Sequence, residues 1–388
     1  MSTTEFTVQN EDERREIVEM ARDFAQTEIA PTAAERDRTK APPVEEFRKL
    51  GELGFFGMLI PEQYEGLGFD TLTYLMVVEE LAAADASVAI TISVHNSLPV
   101  AMLFNHGSDE QKQHWLPKMA RGEAMAAFAL SEADAGSDAA AVRAQAVQDG
   151  SDWILNGTKA WVSHGDSAGL LLVMARTDTQ ENRRGPKGIS AFLVPGDSPG
   201  VEVGKAEDKM GLRSSQTVSV NLNGVRLGPE HLLGEEGSGF IYALEALDQG
   251  RLGVAAQAVG IARAALEHSL RYGAERKQFG KPIKDFQAIQ FKLADMATRV
   301  AAGRALMYEA ARQKDTGRDV TELAGMAKLY SSEMAMWVTT QAVQIFGGYG
   351  YMRDYPVERL FRDAKVTEIY EGTSEIQRIV IGRGLHSE

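Results

Sequence analysis

The apolar positions near the start of the chain follow a helical repeat. Asn10 and Glu13 have the spacing of a capping box, in which two side chains cap each other's backbone N–H groups. Apolar residues follow at helical intervals, namely Ile17, Val18, Ala21, Phe24 and Ala25. We expect this amphipathic helix to end before Pro31, and further helix-like runs continue to about residue 120.

The pattern changes near residue 125 to short runs rich in β-forming residues, separated by Gly, Pro, Asn and Asp. In one such run, Val218, Val220 and Leu222 alternate with polar residues, as in a strand with one buried face. The dipeptides Asn156-Gly157 and Asn223-Gly224 are favoured in tight turns and predict hairpins. The middle third is therefore predicted to be a β domain.

From about Ser238 the chain returns to a helical repeat. A seam of 3-4-3-4 spacing passes through Phe286, Ile289, Leu293, Met296 and Val300 and continues through Gly303 to Met307. This seam fits helix-bundle packing, in which neighbouring helices cross at about 20°. The sequence thus predicts a helical domain over residues 1–122, a β domain over 123–233 and a second helical domain over 234–388.

Composition narrows the function classes. The 388 residues suggest two or three domains, and the net charge of −14, from 41 Lys and Arg against 55 Asp and Glu, argues against a general nucleic-acid or anionic-membrane surface. Without cysteine the chain has no disulfide, thiolate zinc site, cysteine nucleophile or cysteine-ligated cluster. No apolar signal core or uninterrupted run of about 18 apolar residues is present, so we expect a soluble, cytoplasmic protein without membrane insertion.

The familiar catalytic signatures are also missing. The sequence has no His-containing metal signature, Gly-x-Ser-x-Gly elbow, P-loop or strand-linked dinucleotide fingerprint, so we assign no metal site. Two small-residue stretches are the better candidates. FALSEADAGSD offers hydroxyls and close-approach amides that suit phosphates or a polar ring edge, although most Ser/Gly loops are only turns. KAWVSHG places Trp161 and Ser163 on one side of a strand, although a core tryptophan would give the same pattern.

Two later stretches add basic and glycine-rich features. AERKQFGKPI carries Arg276, Lys277 and Phe279, and VQIFGGYGYM carries Gln344 and a pair of glycines. Taken alone, the first reads as a solvated helix end and the second as a glycine-rich turn. Their occurrence together in one chain is what gives them weight.

Seven stretches, in this order, resemble motifs of the acyl-CoA dehydrogenase family. They are FALSEADAGSD, KAWVSHG, DKMGLRSSQT, DQGRLGVAAQAVGIA, ERKQFGKPI, QIFGGYGY and IYEGTSEIQR, and they span most of the chain. The resemblance implies an α+β multidomain fold with an N-terminal helical domain, a central β-barrel-like domain and a C-terminal four-helix bundle. It also implies one FAD per subunit, a homotetramer, and an electron-transfer flavoprotein as the electron acceptor.

In this family an acyl-CoA thioester is desaturated between its α and β carbons. Desaturation needs a base for the α proton and an acceptor for the β hydride, and no side chain accepts hydrides. The family's base lies in the YEGT motif, so the resemblance implies that Glu371 is the base and flavin N5 the acceptor. The backbone N–H of Glu371, together with a flavin ribityl hydroxyl, would polarise the thioester carbonyl. Without the resemblance, Glu371 reads as an exposed carboxylate or a helix N-terminal charge.

The resemblance also assigns binding residues. For FAD it assigns residues on the first loop, residues beside the flavin ring and residues that follow the base onto the flavin, namely Phe128, Leu130, Ser131, Gly136 and Ser137, then Trp161 and Ser163, then Thr373 and Glu375. Toward the adenosine diphosphate end, partly across a subunit boundary, it assigns Arg276, Gln278, Phe279, Gln287, Gln344, Gly347 and Gly348. Toward acyl-CoA it assigns Ser137, Asp248, Arg251 and Gly372.

Some substrates can be set aside on sequence. Isovaleryl- and long-chain-type members take their base from the position of Gly250, which has no side chain to serve. Glutaryl-type members need an arginine near Ala89, and residues 81–104 contain neither Arg nor Lys. A straight, uncharged, short to medium acyl chain is favoured, most like the butyryl-CoA type. His164 stands where the family commonly has Asn, and we assign it no catalytic role.

Three alternatives remain open. The chain could be a branched-chain acyl-CoA dehydrogenase or an acyl-CoA oxidase-like enzyme, and rapid reoxidation of the reduced flavin in air would distinguish the oxidase. It could also be a non-catalytic relative that binds acyl-CoA, because fold does not secure function. The presence of Glu371 beside the flavin motifs weighs against this last alternative.

Overall fold

The computed structural model describes residues 9–177 and 185–385. In this part of the chain, helices precede and follow one large β-sheet, so the predicted order of helix, β and helix is confirmed. Residues 121–125 join the first helical region to the sheet, and residues 234–238 join the sheet to the last. The predicted domain boundaries after residues 122 and 233 fall within these connections and stay predictions.

The N-terminal region is helical. Its α-helices, in chain order, are α1 (Glu11–Phe24), α2 (Ala30–Thr39), α3 (Val44–Glu52), α4 (Thr71–Ala84), α5 (Ala86–His95), α6 (Ala101–His106) and α7 (Asp109–Ala120). The predicted capping box is present, because Asn10 Oδ1 accepts the Glu13 N–H at 2.9 Å and the Asn10 N–H donates to Glu13 Oε2 at 3.2 Å. Val18 and Ala21 form the buried side of α1, as the apolar spacing predicts.

The prediction that the first helix ends before Pro31 is wrong. A π-helical turn, Ala25–Ile29, follows α1, and α2 then continues with Pro31 in its first turn. A proline is tolerated there because the first turn of a helix does not use its N–H groups for intrahelical bonds. The π turn lets the chain restart its hydrogen-bond ladder without a loop.

A second π-helical turn, Asn96–Val100, joins α5 to α6 and produces one apolar helical run, Ala86–His106. By length and composition this run of 21 residues could cross a membrane, although Ser, Thr, His and Asn interrupt its apolar residues, so the expectation that no uninterrupted run of about 18 apolar residues is present still holds. Its most apolar window is 89% buried within the fold. The run therefore serves as a core helix in this structure.

The middle region forms an eight-stranded sheet. Its strands are β1 (Ala126–Ala129), β2 (Gln145–Asp149), β3 (Asp152–Ser163), β4 (Leu170–Arg176), β5 (Ile189–Pro195), β6 (Val201–Val203), β7 (Thr217–Leu227) and β8 (Leu232–Leu233). They are ordered β6-β7-β3-β2-β4-β5-β8, and β1 pairs in parallel with β4. The alternation predicted for β7 is confirmed, since Val218, Val220 and Leu222 are buried.

The hairpins predicted at the two Asn-Gly dipeptides are wrong. Both dipeptides lie inside long strands, where β3 and β7 pair with Asn156 opposite Asn223 and the register shifts. Asn156 Oδ1 accepts the Gly224 N–H at 2.9 Å, and Gly224 has a φ of +66°. Gly157, with a φ of +147°, and Gly224 both adopt positive φ, as glycines in tight turns also do, but the local structure here is an irregularity within a sheet.

The C-terminal region is again helical. It contains α8 (Gly239–Glu275), a small hairpin of β9 (Lys277–Gln278) and β10 (Lys281–Pro282), then α9 (Gln287–Asp315), α10 (Thr321–Phe346), α11 (Val357–Lys365) and α12 (Ser374–Gly384). The predicted seam on α9 is confirmed, with Leu293, Met296, Val300, Gly303 and Met307 all buried.

Helix α8 packs against α4, α9 and α10 and carries many small residues on its buried middle part. These residues let neighbouring backbones approach closely. At Gly260, for example, an added Cβ would lie 2.5 Å from the Glu79 carbonyl oxygen of α4. The N-terminal helices therefore pack directly on the helix that faces the candidate active site.

Candidate active site

Glu371 lies in a short connection between the 3-10 turn Val366–Glu368 and α12. Its φ is +52°, and that of Gly372 is +94°, so two consecutive residues adopt left-handed backbone. For a residue with a Cβ this conformation is uncommon, and it persists only where the surroundings hold it. The side-chain direction of Glu371 is thus set by its environment.

Contacts on both sides fix this connection. Before Glu371, the Tyr370 hydroxyl donates to Gln257 Oε1 on α8. After it, Thr373 caps α12, since its hydroxyl oxygen accepts the Ile376 N–H at 3.3 Å. The segment that carries Glu371 is therefore tied to α8 on one side and to its own following helix on the other.

The carboxylate of Glu371 packs on α8. A Cβ added to Gly250 would lie 2.1 Å from Glu371 Oε2 and 2.9 Å from Leu98 Cδ2, so the glycine leaves the space that the carboxylate uses. Both carboxylate oxygens are buried and make no hydrogen bond to the described residues. An ionised carboxylate without donors is unstable in such surroundings and binds a proton more readily.

The electrostatics agree with this packing. Burial raises the pKa of Glu371 to about 7, and the positive charges of Lys328 and Arg251 oppose the rise. Arg251 is itself buried and pairs with Asp248, whose Oδ1 lies 2.5 Å from its Nη1. Burial also raises the pKa of Asp248, against the hydrogen bond from Thr321. The carboxylate is thus available as a base near neutral pH.

Two of the predicted loops meet at the edge of the sheet. Residues 130–138 follow β1, and the Ala160 N–H of β3 donates to the Ser131 carbonyl at 2.9 Å. Beneath them, the buried ammonium of Lys159 donates to Leu130 O at 2.9 Å and to Glu132 Oε1 at 2.8 Å. Leu130 is buried, whereas the predicted ligands Gly136 and Ser137 are exposed. The start of the loop is thus held in place by Lys159, and its exposed part, at Gly136 and Ser137, forms an open rim.

Trp161 is not a core residue, because 57% of it is exposed. It has a φ of +55° and lies where the β3–β7 register shifts between Lys159 and Val162. Val162 is buried, and Trp161 and Ser163 are turned away from the core beside it. The irregularity presents an aromatic ring outward next to a hydroxyl, as the sequence suggested for a flavin-binding strand.

His164, the residue after this strand, is buried and has a structural environment. Its Nε2 contacts the Ala126 carbonyl oxygen at 3.1 Å, while the Ala126 N–H donates to Nδ1 of His95 at 3.0 Å. Two buried histidines thereby bind both polar groups of one residue in β1. Burial lowers the pKa of His95 to about 3 and that of His164 to about 4.

A groove of about 550 Å³ gathers several residues predicted for the adenosine diphosphate end. Its lining includes Arg276, Gln278, Gly347 and Gly348, with Tyr272 and Phe346 stacked at a centroid distance of 4.0 Å. A Cβ at Gly347 or Gly348 would meet none of the described residues within 4 Å. The predicted residues Phe279, Gln287 and Gln344 are exposed nearby in sequence, Phe279 by 93%.

Comparisons with known proteins identify the family of this chain. The acyl-CoA dehydrogenase N-terminal, middle and C-terminal domain families match residues 11–123, 127–225 and 237–386. The chain belongs to the acyl-CoA dehydrogenase family. It is therefore a flavoprotein oxidoreductase of that fold, and the family predicted from the seven motifs is confirmed.

Individual relatives are similar over almost the whole chain. The mouse mitochondrial short-chain specific acyl-CoA dehydrogenase is 46% identical over 93% of this chain and 87% of its own length. The structure of butyryl-CoA dehydrogenase from Megasphaera elsdenii has a TM-score of 0.95 at 43% identity, over 97% of this chain and 99% of that one. A chain from a structure described as the electron transferring flavoprotein of Acidaminococcus fermentans has a TM-score of 0.95 at 46% identity, over 98% and 99%.

Within this acyl-CoA dehydrogenase, sequence reasoning missed residues that support the site without being expected ligands. Glu132 lies in the motif FALSEADAGSD and Lys159 in the motif KAWVSHG. An acidic residue in one motif and a basic residue in the other were the available signal for this ion pair. Lys328 lies on α10 and Gln377 on α12, the second inside the quoted stretch IYEGTSEIQR, and a single polar residue on a helix reads as surface. Nothing in the local sequence marks either as buried beneath the Glu371 segment.

Proposed function

We propose that this acyl-CoA dehydrogenase desaturates a short- to medium-chain, uncharged acyl-CoA to the trans-2-enoyl-CoA, with Glu371 as the base. One bond to hydrogen breaks at each of the α and β carbons and a carbon–carbon double bond forms. Glu371 takes the α proton, and the β hydrogen would leave with its electron pair as a hydride to the FAD held by the residues described below. The observation that carries the proposal is the carboxylate of Glu371, which is buried and unpaired, with its pKa raised by burial to about 7.

This carboxylate has the properties that abstraction of a carbon-bound proton needs. A base is most effective when its pKa lies near the working pH, because it is then largely ionised and still basic. A base that is already hydrogen-bonded would have to lose those bonds to accept the proton, and Glu371 has none to the described residues. A bound acyl chain that excludes the remaining water would raise the pKa of Glu371 further.

The residues present fit FAD. The exposed ring of Trp161 gives an aromatic face, and the exposed loop at Gly136 and Ser137 gives backbone amides. The groove at Gly347 and Gly348 gives uncovered backbone. When bound, FAD supplies the two-electron acceptor that amino-acid side chains lack. We propose that the residues predicted for the two ends of FAD hold it there.

We propose that Asp248, Arg251, Gly372 and Ser137 contact the acyl-CoA. Ser137 is exposed on the loop rim, and Gly372 follows the base directly. Arg251 is buried and forms an ion pair with the half-buried Asp248, and its charge acts on the base. Their charges nearly cancel locally, which suits an uncharged acyl chain better than one with a distal carboxylate.

The size of the substrate is argued from what lies behind Glu371. Leu98 approaches the carboxylate, and the buried Tyr74 hydroxyl bonds to Ser93 within the same helical layer. A Cβ on Gly253 would lie 2.2 Å from Ser93 Oγ, so α8 and α5 are in close contact at this depth. Such close packing favours a short chain, as do the short-chain and butyryl-CoA relatives.

The test is the visible spectrum of the purified protein before and after anaerobic addition of butyryl-, octanoyl- and isobutyryl-CoA in separate samples. We expect a yellow protein that butyryl-CoA bleaches fastest. Bleaching only by isobutyryl-CoA would favour the branched-chain alternative, and rapid recovery of colour in air would favour the oxidase. A yellow protein bleached by none would leave the binding-protein alternative.

The matched variant is Glu371→Gln, which keeps size and removes the base. We expect it to retain FAD and bind acyl-CoA while losing at least about 100-fold in the rate of flavin reduction. Glu333→Gln, which changes an exposed carboxylate of α10, tests whether loss of any nearby charge has the same effect. Flavin reduction by Glu371→Gln at the parental rate would refute the base assignment.

We further propose a homotetramer that passes electrons to an electron-transfer flavoprotein in the cytoplasm. The exposed aromatic residues Phe279, Phe291 and Tyr351 support an assembly that covers them. Light scattering of the FAD-loaded protein tests the tetramer. The acceptor is tested by mixing the protein and butyryl-CoA with a purified electron-transfer flavoprotein. The rate at which the flavoprotein is reduced is compared with the rate for a free dye.

A further inference from the structure

The left-handed pair Glu371 and Gly372 directs its carbonyl groups toward two buried donors. Lys328 Nζ, on α10, donates to Gly372 O at 2.7 Å. Gln377 Nε2, on α12, donates to Glu371 O at 3.2 Å and to Gly372 O at 3.0 Å. The backbone that aims the base is thus held by one charged and one neutral side chain.

Lys328 is an unusual residue for this position. It is 0% exposed, and a buried ammonium is costly unless an opposite charge or several acceptors compensate it. A neutral donor such as Gln377 could hold a carbonyl oxygen at lower cost. The presence of a full charge therefore calls for a second role besides the hydrogen bond.

We propose that Lys328 is a positioning residue for Glu371, fixing the Gly372 carbonyl and keeping the buried carboxylate ionised through its charge. This inference rests on the proposed function, since it concerns the same base. It assigns to Lys328 no contact with the substrate and no proton transfer.

The charges around the two groups support this role. The groups that act on the Lys328 ammonium are Glu371, Arg251, Glu368 and Glu375. Those that act on the Glu371 carboxylate are Lys328 and Arg251, with the phenols of Tyr74 and Tyr370 also facing it. Arg251 is already paired with Asp248, whereas Lys328 has no ion pair within 4 Å among the described residues. Lys328 is therefore the less compensated of the two cations.

The sign of the effect follows. Burial lowers the pKa of Lys328 to about 8, and burial raises the pKa of Glu371 to about 7 against the attraction of Lys328. Near pH 7.5 the lysine is still mostly charged while the carboxylate is mostly ionised. Removing the lysine charge removes an opposing influence, so the pKa of Glu371 must rise further. The fraction of ionised base at neutral pH then falls.

The experiment compares Lys328→Met with Gln377→Met in the FAD-loaded protein. Both substitutions remove a donor to the Gly372 carbonyl and put in an unbranched side chain, but only the first removes a charge. Anaerobic flavin reduction by butyryl-CoA is followed from about pH 5.5 to 9.5. We expect the midpoint of the rising limb to move up by about one pH unit or more in Lys328→Met and to stay in place in Gln377→Met.

Lys205→Met is the control for a change in net charge, because Lys205 is exposed on the middle domain. We expect Lys205→Met to keep the parental rate of flavin reduction and the parental midpoint of its pH profile. Lys328→Arg should keep the parental midpoint, because it keeps the positive charge. A parental midpoint in Lys328→Met would overturn the inference, as would an equal loss of rate at every pH. If Lys328→Met does not retain FAD, Lys328→Gln replaces it with the same expected shift, and a parental midpoint there overturns the inference.

A second readout does not depend on turnover. In thermal unfolding at pH 7.5, Lys328→Met leaves the charge of the Glu371 carboxylate uncompensated and should lower the midpoint temperature. The decrease should be smaller when Glu371→Gln is also present, because the carboxylate charge is then missing. Equal losses in both backgrounds would contradict the inference. Failure of the proposed function looks different, since Glu371→Gln would then reduce flavin at the parental rate whatever Lys328 does.

Discussion

Gly250 of α8 and Glu371 of the C-terminal connection share one space, because a Cβ on Gly250 would lie 2.1 Å from Glu371 Oε2. The same Cβ would be 2.9 Å from Leu98 Cδ2, so the carboxylate cannot simply move toward α5 and α6. The glycine is therefore needed for the observed position of the carboxylate, even though it has no functional group of its own.

We expect Gly250→Ala to reduce the rate of flavin reduction by about 100-fold. The added methyl group must displace the carboxylate by an ångström or more, and a displacement of that size in a reacting group costs about this factor. Stopped-flow absorbance with butyryl-CoA under anaerobic conditions measures it. FAD content should remain parental, since no predicted FAD ligand contacts Gly250.

The control is Gly382→Ala on α12. A Cβ at Gly382 would meet no atom of residues 9–177 and 185–385 within 4 Å, and the substitution should stabilise the helix by about 0.5–1 kcal/mol without changing the rate. If Gly250→Ala reduced flavin at the same rate as Gly382→Ala, the position of the carboxylate in this structure would not be the reactive one.

The ionised Glu371 should destabilise the folded protein. Its pKa rises from 4.5 to about 7 on burial, so between these pH values the folded protein holds a proton that the unfolded chain has released. Stability contributed by the group therefore falls as pH rises through this window and stays lowered above it. The loss amounts to roughly 3 kcal/mol at most.

Glu371→Gln removes this loss, so the variant should unfold at a higher temperature than the parent at pH 8 and at the same temperature near pH 4.5. Thermal unfolding of FAD-loaded samples over that range measures the difference. Glu375→Gln should have the opposite sign, because hydrogen bonds from its own backbone N–H and Thr373 lower the pKa of Glu375. A pH-independent gap between parent and Glu371→Gln would contradict the buried, unpaired carboxylate.

Periodicity predicted the fold well where one face of an element is buried. Leu293, Met296 and Val300 on α9 and the alternating residues of β7 could be assigned because burial follows the repeat of a helix or a strand. Pro31 and the Asn-Gly dipeptides could not, since the same local backbone occurs in more than one context. A proline such as Pro31 fits a helix that continues after a π turn as well as it fits the residue after a helix end. An Asn-Gly dipeptide fits an irregularity within a strand as well as it fits a hairpin turn.

For the site, the sequence led to Glu371 only through its motif. The features that make it reactive come from residues far away in the chain, such as Gly250 and Lys328, and no local pattern links them. A buried lysine on a helix has the same spacing as an exposed one, so burial of its charge had to be seen in three dimensions.

The ion pair beneath the flavin loop should affect both stability and FAD binding. Lys159 is 0% exposed and donates to Glu132 Oε1, and Glu132 also accepts the Arg143 and Ala144 N–H groups at 2.7 and 2.9 Å. In Glu132→Gln the ammonium loses its opposite charge, which typically costs about 3–5 kcal/mol for a buried pair. We expect a lower unfolding temperature and FAD that is lost on gel filtration.

The double variant Glu132→Gln with Lys159→Met tests the reason for this loss. It should be less unstable than Glu132→Gln alone, because no buried charge is left uncompensated. Asp149→Asn, which breaks the exposed pair with Arg226, should change little. Glu132→Gln with parental FAD retention would show that the pair does not support the loop.

Acid sensitivity should depend on His164. Its pKa falls from 6.5 to about 4 because the ring is buried, so between these values the unfolded chain takes up a proton that the folded protein excludes. Stability is therefore lost as pH falls through this window, by up to about 3 kcal/mol for this residue. His164→Asn keeps a donor that can reach the Ala126 carbonyl and removes the titrating ring.

We expect the unfolding temperature of His164→Asn to fall less steeply than that of the parent between about pH 6.5 and 4, although His95, whose pKa is also lowered, keeps part of the slope. Thermal unfolding in matched buffers measures both slopes. His114→Asn, at an exposed position, should follow the parent closely. If the His164→Asn and His114→Asn slopes coincide, the buried ring of His164 is protonated in the folded protein, and its contact with Ala126 does not depend on the neutral form.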